Sequence, residues 1–171
     1  MLPPWPGLDG LHPLVIHFPI ALLLVAPLFV AMAMVRPART AAFAGPALVL
    51  LALGTVAALV AVESGEAAAE LATRTDAINT VLDRHSSLAQ AATTLFAVLT
   101  VAYGVAVAAL LRVKRLARPS YAVAVHAVFL VLLLAGGGLV ATAAHQGGVL
   151  VHGLGVHSML AAPVPGTGNV P

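Results

Sequence analysis

The chain has no cysteine, which excludes disulfides, thiolate nucleophiles, cysteine-ligated clusters and c-type haem attachment together. Charge is almost as scarce. Only 8% of the 171 residues are Asp, Glu, Lys or Arg, against about 25% in a soluble domain. With 61% hydrophobic residues and a mean hydropathy of +1.04, there is too little polar surface to cover a soluble globule, so a lipid bilayer is the expected surrounding. The formal net charge is only +2. No basic array tracks a phosphate backbone, and nucleic acid is not an expected partner. No alternation of strand period is long enough for a membrane β-strand. There is no nucleophile elbow, phosphate loop or metalloprotease helix. Gly136-Gly137-Gly138 and Gly147-Gly148 follow an apolar run and not a strand, so they are not dinucleotide fingerprints. An enzyme acting alone is the function class the sequence supports least.

What the chain does have is four apolar runs, at about 13–35, 40–62, 88–111 and 120–144. Each exceeds or matches the ~20 residues that cross ~30 Å of hydrocarbon. The expected fold is all-α: a four-helix transmembrane bundle forming one membrane domain over 11–157. Residues 1–10 are a Pro/Gly-rich lead whose Trp5 suits an interface, and 158–171 read as a flexible tail. No Lys or Arg precedes the first run, and the run is longer than a signal-peptide core, so it reads as a retained span. Pro13 suits a first helical turn, while Pro19 and Pro27 are expected to bend the helix. Gly45 and Gly54 offer a small-residue face for close helix contact. The segment from Glu63 to about His85 holds the only acidic region and is expected to form a short extra helix between spans 2 and 3, with Asp76 as a candidate cap.

Charge asymmetry orients the spans. Arg36, Arg39, Arg112, Lys114, Arg115 and Arg118 fall in two loops on one side, and the opposite side carries Arg74, Arg84 and all six acids. The positive-inside rule then places both termini outside, and the Ala- and Val-rich composition, which suits a GC-rich bacterial genome, makes the expected location of this multi-pass protein the bacterial inner (cytoplasmic) membrane.

Six of the seven histidines then gather near the outer face: His12, His17, His85, His145, His152 and His157. Imidazole is the commonest metal ligand, and two imidazoles on facing helices can hold a haem iron. Ionisable groups at membrane depth are costly and point to function. His17, His85 and His145 are the candidates for holding a b-type haem, with His17 and His85 the first pair. His12, His17, His85 and His152 are the candidates for a metal ion. The plain alternative for each is a structural histidine bonded across helices, or a solvated one at the interface. His12 and His17 are five apart, about 140° round a regular helix, so they do not converge unless a proline distorts the backbone. His126 lies about 28 Å below His145 at 1.5 Å per residue. No histidine shares its depth, though Met32 and Met34 lie near it. Glu63, Glu66 and Glu70 share one helical face. Glu63 and Glu66 are candidates for an ion or proton site, and the plain alternative is the solvated side of an amphipathic helix.

The segment from His12 to Leu22, HPLVIHFPIAL, resembles the opening signature of the bacterial membrane-protein family catalogued as domain of unknown function twenty-two thirty-one. Ser64-Gly65-Glu66-Ala67-Ala68, His85 and Gly147-Gly148-Val149-Leu150-Val151 resemble the later motifs in the right order. The family usually continues Tyr-x-His-Gly, whereas this chain reads His152-Gly153-Leu154-Gly155, so the resemblance leaves the role of His152 open. It supplies no biochemical activity, although some relatives are fused to cytochrome-like domains. The leading functional expectation is therefore a haem- or metal-binding electron-transfer subunit working with a redox partner or within a larger membrane complex. The alternatives are a small proton- or ion-linked transporter and a structural subunit of such a complex.

Overall fold

Residues 7–116 and 118–156 are described in a computed structural model, the side chains of residues 8 and 9 aside. They form α1 (Leu8–Val15), α2 (His17–Val35), α3 (Thr40–Glu70), α4 (Asp76–Arg112) and α5 (Pro119–Gly148), with a single π-turn at Val149–Gly153 and no strand among the described residues. Four helical stretches are long and apolar enough to cross a membrane, α1 and α2 together making the first. Each long helix packs on its neighbours in sequence and α5 closes on α2, giving an up-down-up-down square.

The helix ends at the two basic loops fall where the sequence places them. Arg36-Pro37 breaks the backbone after Val35, and Arg118-Pro119 puts a proline at the first position of α5. The opposite ends run further. α3 continues about two turns past residue 62, and α4 starts about three turns before residue 88. The expected short extra helix is therefore not a separate element. Its residues are the ends of two long helices, joined by the turn 71–75. An apolar run marks how much helix the bilayer needs, but Glu63-Ser64-Gly65-Glu66-Ala67-Ala68-Ala69-Glu70 is rich enough in Ala and Glu to stay helical beyond it. At 1.5 Å per residue α4 is about 55 Å long, well over the ~30 Å of hydrocarbon.

Thr75, not Asp76, is the cap of α4. Its hydroxyl accepts the Ile78 N–H at 3.3 Å, and Asp76 sits in the first turn. Thr75→Ala is expected to lower helix stability by about 1 kcal/mol, seen as faster amide exchange at Ile78 with no change beyond the first turns of α4.

The first span is broken. α1 ends at Val15 and α2 begins at His17. Pro19 has no N–H to offer the Val15 carbonyl, and its ring crowds that oxygen, which places the break four residues upstream. Pro13 lies inside α1 and not at its first turn, because the helix starts at Leu8. Pro27 is buried within a continuous α2.

The core between the four helices is built by Leu23, Val30, Leu51, Phe96, Tyr103 and Leu133 among others. In lipid such a core is held by close packing more than by the hydrophobic effect. Gly54 shows how close: a Cβ there would lie 2.7 Å from Leu23 Cδ2 and 3.2 Å from Leu22 Cβ. Gly136 and Gly137 likewise seat Phe96 and Leu24, so two of the three consecutive glycines serve helix contact. At Gly45 nothing lies within 4 Å. The Thr55–Thr100 hydroxyl pair, 3.1 Å apart, ties α3 to α4, a bond of roughly 0.6 kcal/mol in a membrane core. Shape outweighs it.

Candidate functional site

At the end of the bundle that holds both described termini, the helices part around a cavity of about 610 Å³. That lies within the roughly 300–1,000 Å³ of small-molecule sites. All four spans contribute to its wall. Its depth is apolar, reaching Leu23 and Phe96, and its mouth carries Glu66, Arg74, Asp83 and His152.

Two imidazoles meet inside it. His12 comes from α1 and His85 from α4, with ring centroids 6.3 Å apart and planes at 88°. Each is fixed in the same way. His12 Nδ1 lies 2.9 Å from the Ala61 carbonyl oxygen on α3, and His85 Nδ1 lies 2.8 Å from the Ala143 carbonyl oxygen on α5. A carbonyl only accepts, so each Nδ1 carries a proton, and in the neutral ring Nε2 keeps its lone pair. Ser64, fully buried, donates its hydroxyl to Ala61 O at 3.1 Å and lies 3.4 Å from His12 Nδ1.

Both rings reach a carbonyl on the flank of an intact helix, which requires a bare backbone beside it. The residue four on from Ala61 is Gly65, and four on from Ala143 is Gly147. A Cβ on Gly65 would lie 2.9 Å from His12 Cε1, and one on Gly147 would lie 3.2 Å from His85 Cε1. The first helical hairpin and the second thus present the same unit: a histidine on the incoming helix, and a carbonyl and glycine four apart on the returning one. The sequence shows no repeat, because the unit rests on three residues held in space and not on a run of similar ones.

The remaining histidines are placed as follows. His17 is exposed and does not line the cavity. His145 is exposed and does not line the cavity either. His152 is exposed at the mouth. His157 lies outside the described residues. His85 thus has His12 as its neighbour, and not His17. Because α4 begins at Asp76, His85 is also well inside the helix and feels no N-terminal dipole. No group of three or more His, Asp or Glu is disposed to hold a metal ion among the described residues. Glu63 and Glu70 are exposed, and Glu66 accepts a hydrogen bond from Gln90 Nε2 at 2.9 Å. Arg74 is held by neutral acceptors, Asn79 Oδ1 at 3.3 Å and Ala69 O at 3.0 Å.

His126 sits in the other half, fully buried, with Tyr103 beside it at 5.8 Å between centroids. Met32 is exposed and Met34 half-buried. Tyr103 carries no signal in the sequence, where it is one aromatic residue in an apolar run.

His12-Pro13, Gly65-Glu66, His85 and Gly147-Gly148 all line the one cavity. The family model described as "Predicted membrane protein (DUF2231)" matches residues 8–159, and the chain belongs to that family. Neither the curated proteins nor the solved structures include a match to it.

Proposed function

We propose that this member of the DUF2231 family is an electron-transfer subunit that holds a b-type haem between His12 and His85. The observation that carries the reading is the matched pair of carbonyl-anchored imidazoles, 6.3 Å apart in an apolar cavity. A metal-ligating histidine characteristically donates its second N–H to a carbonyl or carboxylate, and both rings do so. With both Nδ1 atoms tied to carbonyls, the two Nε2 atoms would be the ones to hold an iron. A zinc site takes three or four protein ligands, more than this pair offers, whereas a porphyrin brings four nitrogens of its own. An apolar wall suits the macrocycle, and Arg74 at the mouth suits its acidic arms. When bound, haem supplies one-electron chemistry. His12 and His85 would hold it, the Ala61 and Ala143 carbonyls would fix the imidazole tautomer, and Leu23 and Phe96 would give it an apolar deep wall.

On the positive-inside reading, the cavity lies on the outer side of the bacterial inner membrane and receives or delivers electrons there. The polar ends of α3 and α4 extend beyond the hydrocarbon, where a redox partner can reach the mouth. The test is an optical spectrum of protein purified gently from membranes supplied with haem precursor, oxidised and dithionite-reduced. A Soret band with sharp reduced α and β bands, at one haem per chain, is expected. A featureless spectrum from folded protein overturns the proposal. Uptake of a solute into proteoliposomes that is lost in Glu66→Gln would favour the transporter instead.

A further inference from the structure

A second polar site lies in the half of the bundle nearer the basic loops. His126 and Tyr103 are each fully buried, and His126 Nδ1, His126 Nε2 and the Tyr103 hydroxyl have no hydrogen-bond partner among the described residues. Buried polar atoms in folded proteins nearly always have partners, and in hydrocarbon there is no bulk water to substitute. Three such atoms on two touching residues therefore need a common explanation.

The two side chains cannot supply it between themselves. Their rings lie 5.8 Å apart and tilted by 58°. A neutral imidazole has one donor and one acceptor nitrogen on different edges. Even a direct phenol–imidazole bond uses one nitrogen and leaves the other unmet. Phe129, 5.1 Å from the Tyr103 ring, offers no polar group. Thr55 and Thr100 bond to each other. What the pair requires is small neutral guests that donate and accept at once, one at each edge of the imidazole.

We infer that Tyr103 and His126 form an internal binding site for water in the basic-loop half of the bundle. Along α4 the eighteen residues from His85 place it about 27 Å from the two imidazoles, and the seven residues from Phe96 place it about 10 Å beyond the deep wall of that cavity. A water here exchanges protons with both side chains, so the site is a point of proton exchange inside an otherwise apolar layer.

The test uses the full chain, labelled with ¹⁵N at histidine and reconstituted in lipid nanodiscs. Magic-angle spinning spectra before and after Tyr103→Phe assign the tautomer and hydrogen bonding of His126, and water-edited spectra detect water beside it. The expected result is a hydrogen-bonded His126 nitrogen with a water cross-peak, and a shift larger than the linewidth in Tyr103→Phe. A His126 nitrogen bonded directly to Tyr103 without a water cross-peak overturns the water site. So does a pair of free-nitrogen shifts that Tyr103→Phe leaves unmoved. Should Tyr103→Phe not fold, the water cross-peak of the parent chain decides alone.

Discussion

His12→Ala and His85→Ala are each expected to abolish the low-spin bis-imidazole spectrum, whereas His17→Ala and His145→Ala leave it in place. The contrast follows from where the rings point: His12 and His85 line one cavity, and His17 and His145 are exposed and do not. A retained spectrum in His12→Ala, with loss in His17→Ala, would show that the ligand pair is misassigned. The supporting glycines sharpen the test. Gly147→Val places a side chain where a Cβ alone lies 3.2 Å from His85 Cε1, so the ring must leave its carbonyl. Loss of such support to a ligating histidine costs about 10–100-fold in affinity, and a loss of that size in haem titrations is expected. Gly138→Ala, where nothing lies within 4 Å and which does not line the cavity, is expected to bind as the parent does. If both glycine variants bind equally, the carbonyl anchor has no part in the site.

The largest effect on stability is expected at Gly54. A Cβ there meets Leu23 Cδ2 at 2.7 Å, Cγ at 2.8 Å and Leu22 Cβ at 3.2 Å. Leu23 is itself enclosed in the core, so it cannot swing aside, and α2 and α3 must separate. Overpacking of this kind costs about 1–3 kcal/mol and occasionally more. Gly54→Val is expected at or above the top of that range in equilibrium unfolding from mixed micelles. Gly45→Ala, on the same helix with nothing within 4 Å, serves as the control and is expected to change little. The double variant Gly54→Ala with Leu23→Ala should be more stable than the sum of its single losses, since the second change opens the space the first one fills. Strict additivity would place the damage elsewhere than at this contact.

These two sites also show how unevenly the sequence exposes its structure. Hydropathy alone marks four spans, and Arg36-Pro37 and Arg118-Pro119 mark their ends at the basic loops. The other ends were hidden because hydropathy measures the lipid slab and not the helix, and Glu63 to Glu70 are helix formers outside that slab. The proline bend near His17 was legible. Its result, that α1 carries His12 into the bundle while His17 stays outside, depends on which face packs against α3, and no local signal states that. Gly65 and Gly147 could be seen as parts of motifs, but not as the surfaces against which two imidazoles lie. That role exists only between helices 53 and 62 residues apart in the chain, counting from His12 to Gly65 and from His85 to Gly147. Tyr103 lacked any signal, since burial without a partner cannot be read from a tyrosine in an apolar run.

The matched His–carbonyl–glycine units have a consequence for how the chain is made. Each hairpin can insert as it leaves the ribosome, since each has its own two apolar helices and a basic turn. Neither carries more than one imidazole of the pair. The site comes into being only when the second hairpin docks on the first, and anything that grips both rings adds its binding free energy to that docking, about 2.7 kcal/mol at a hundredfold excess over its dissociation constant. The ligand is then a clasp on assembly as well as a tool, and a chain cut within 71–75 should rejoin from its two halves more completely when the ligand is supplied.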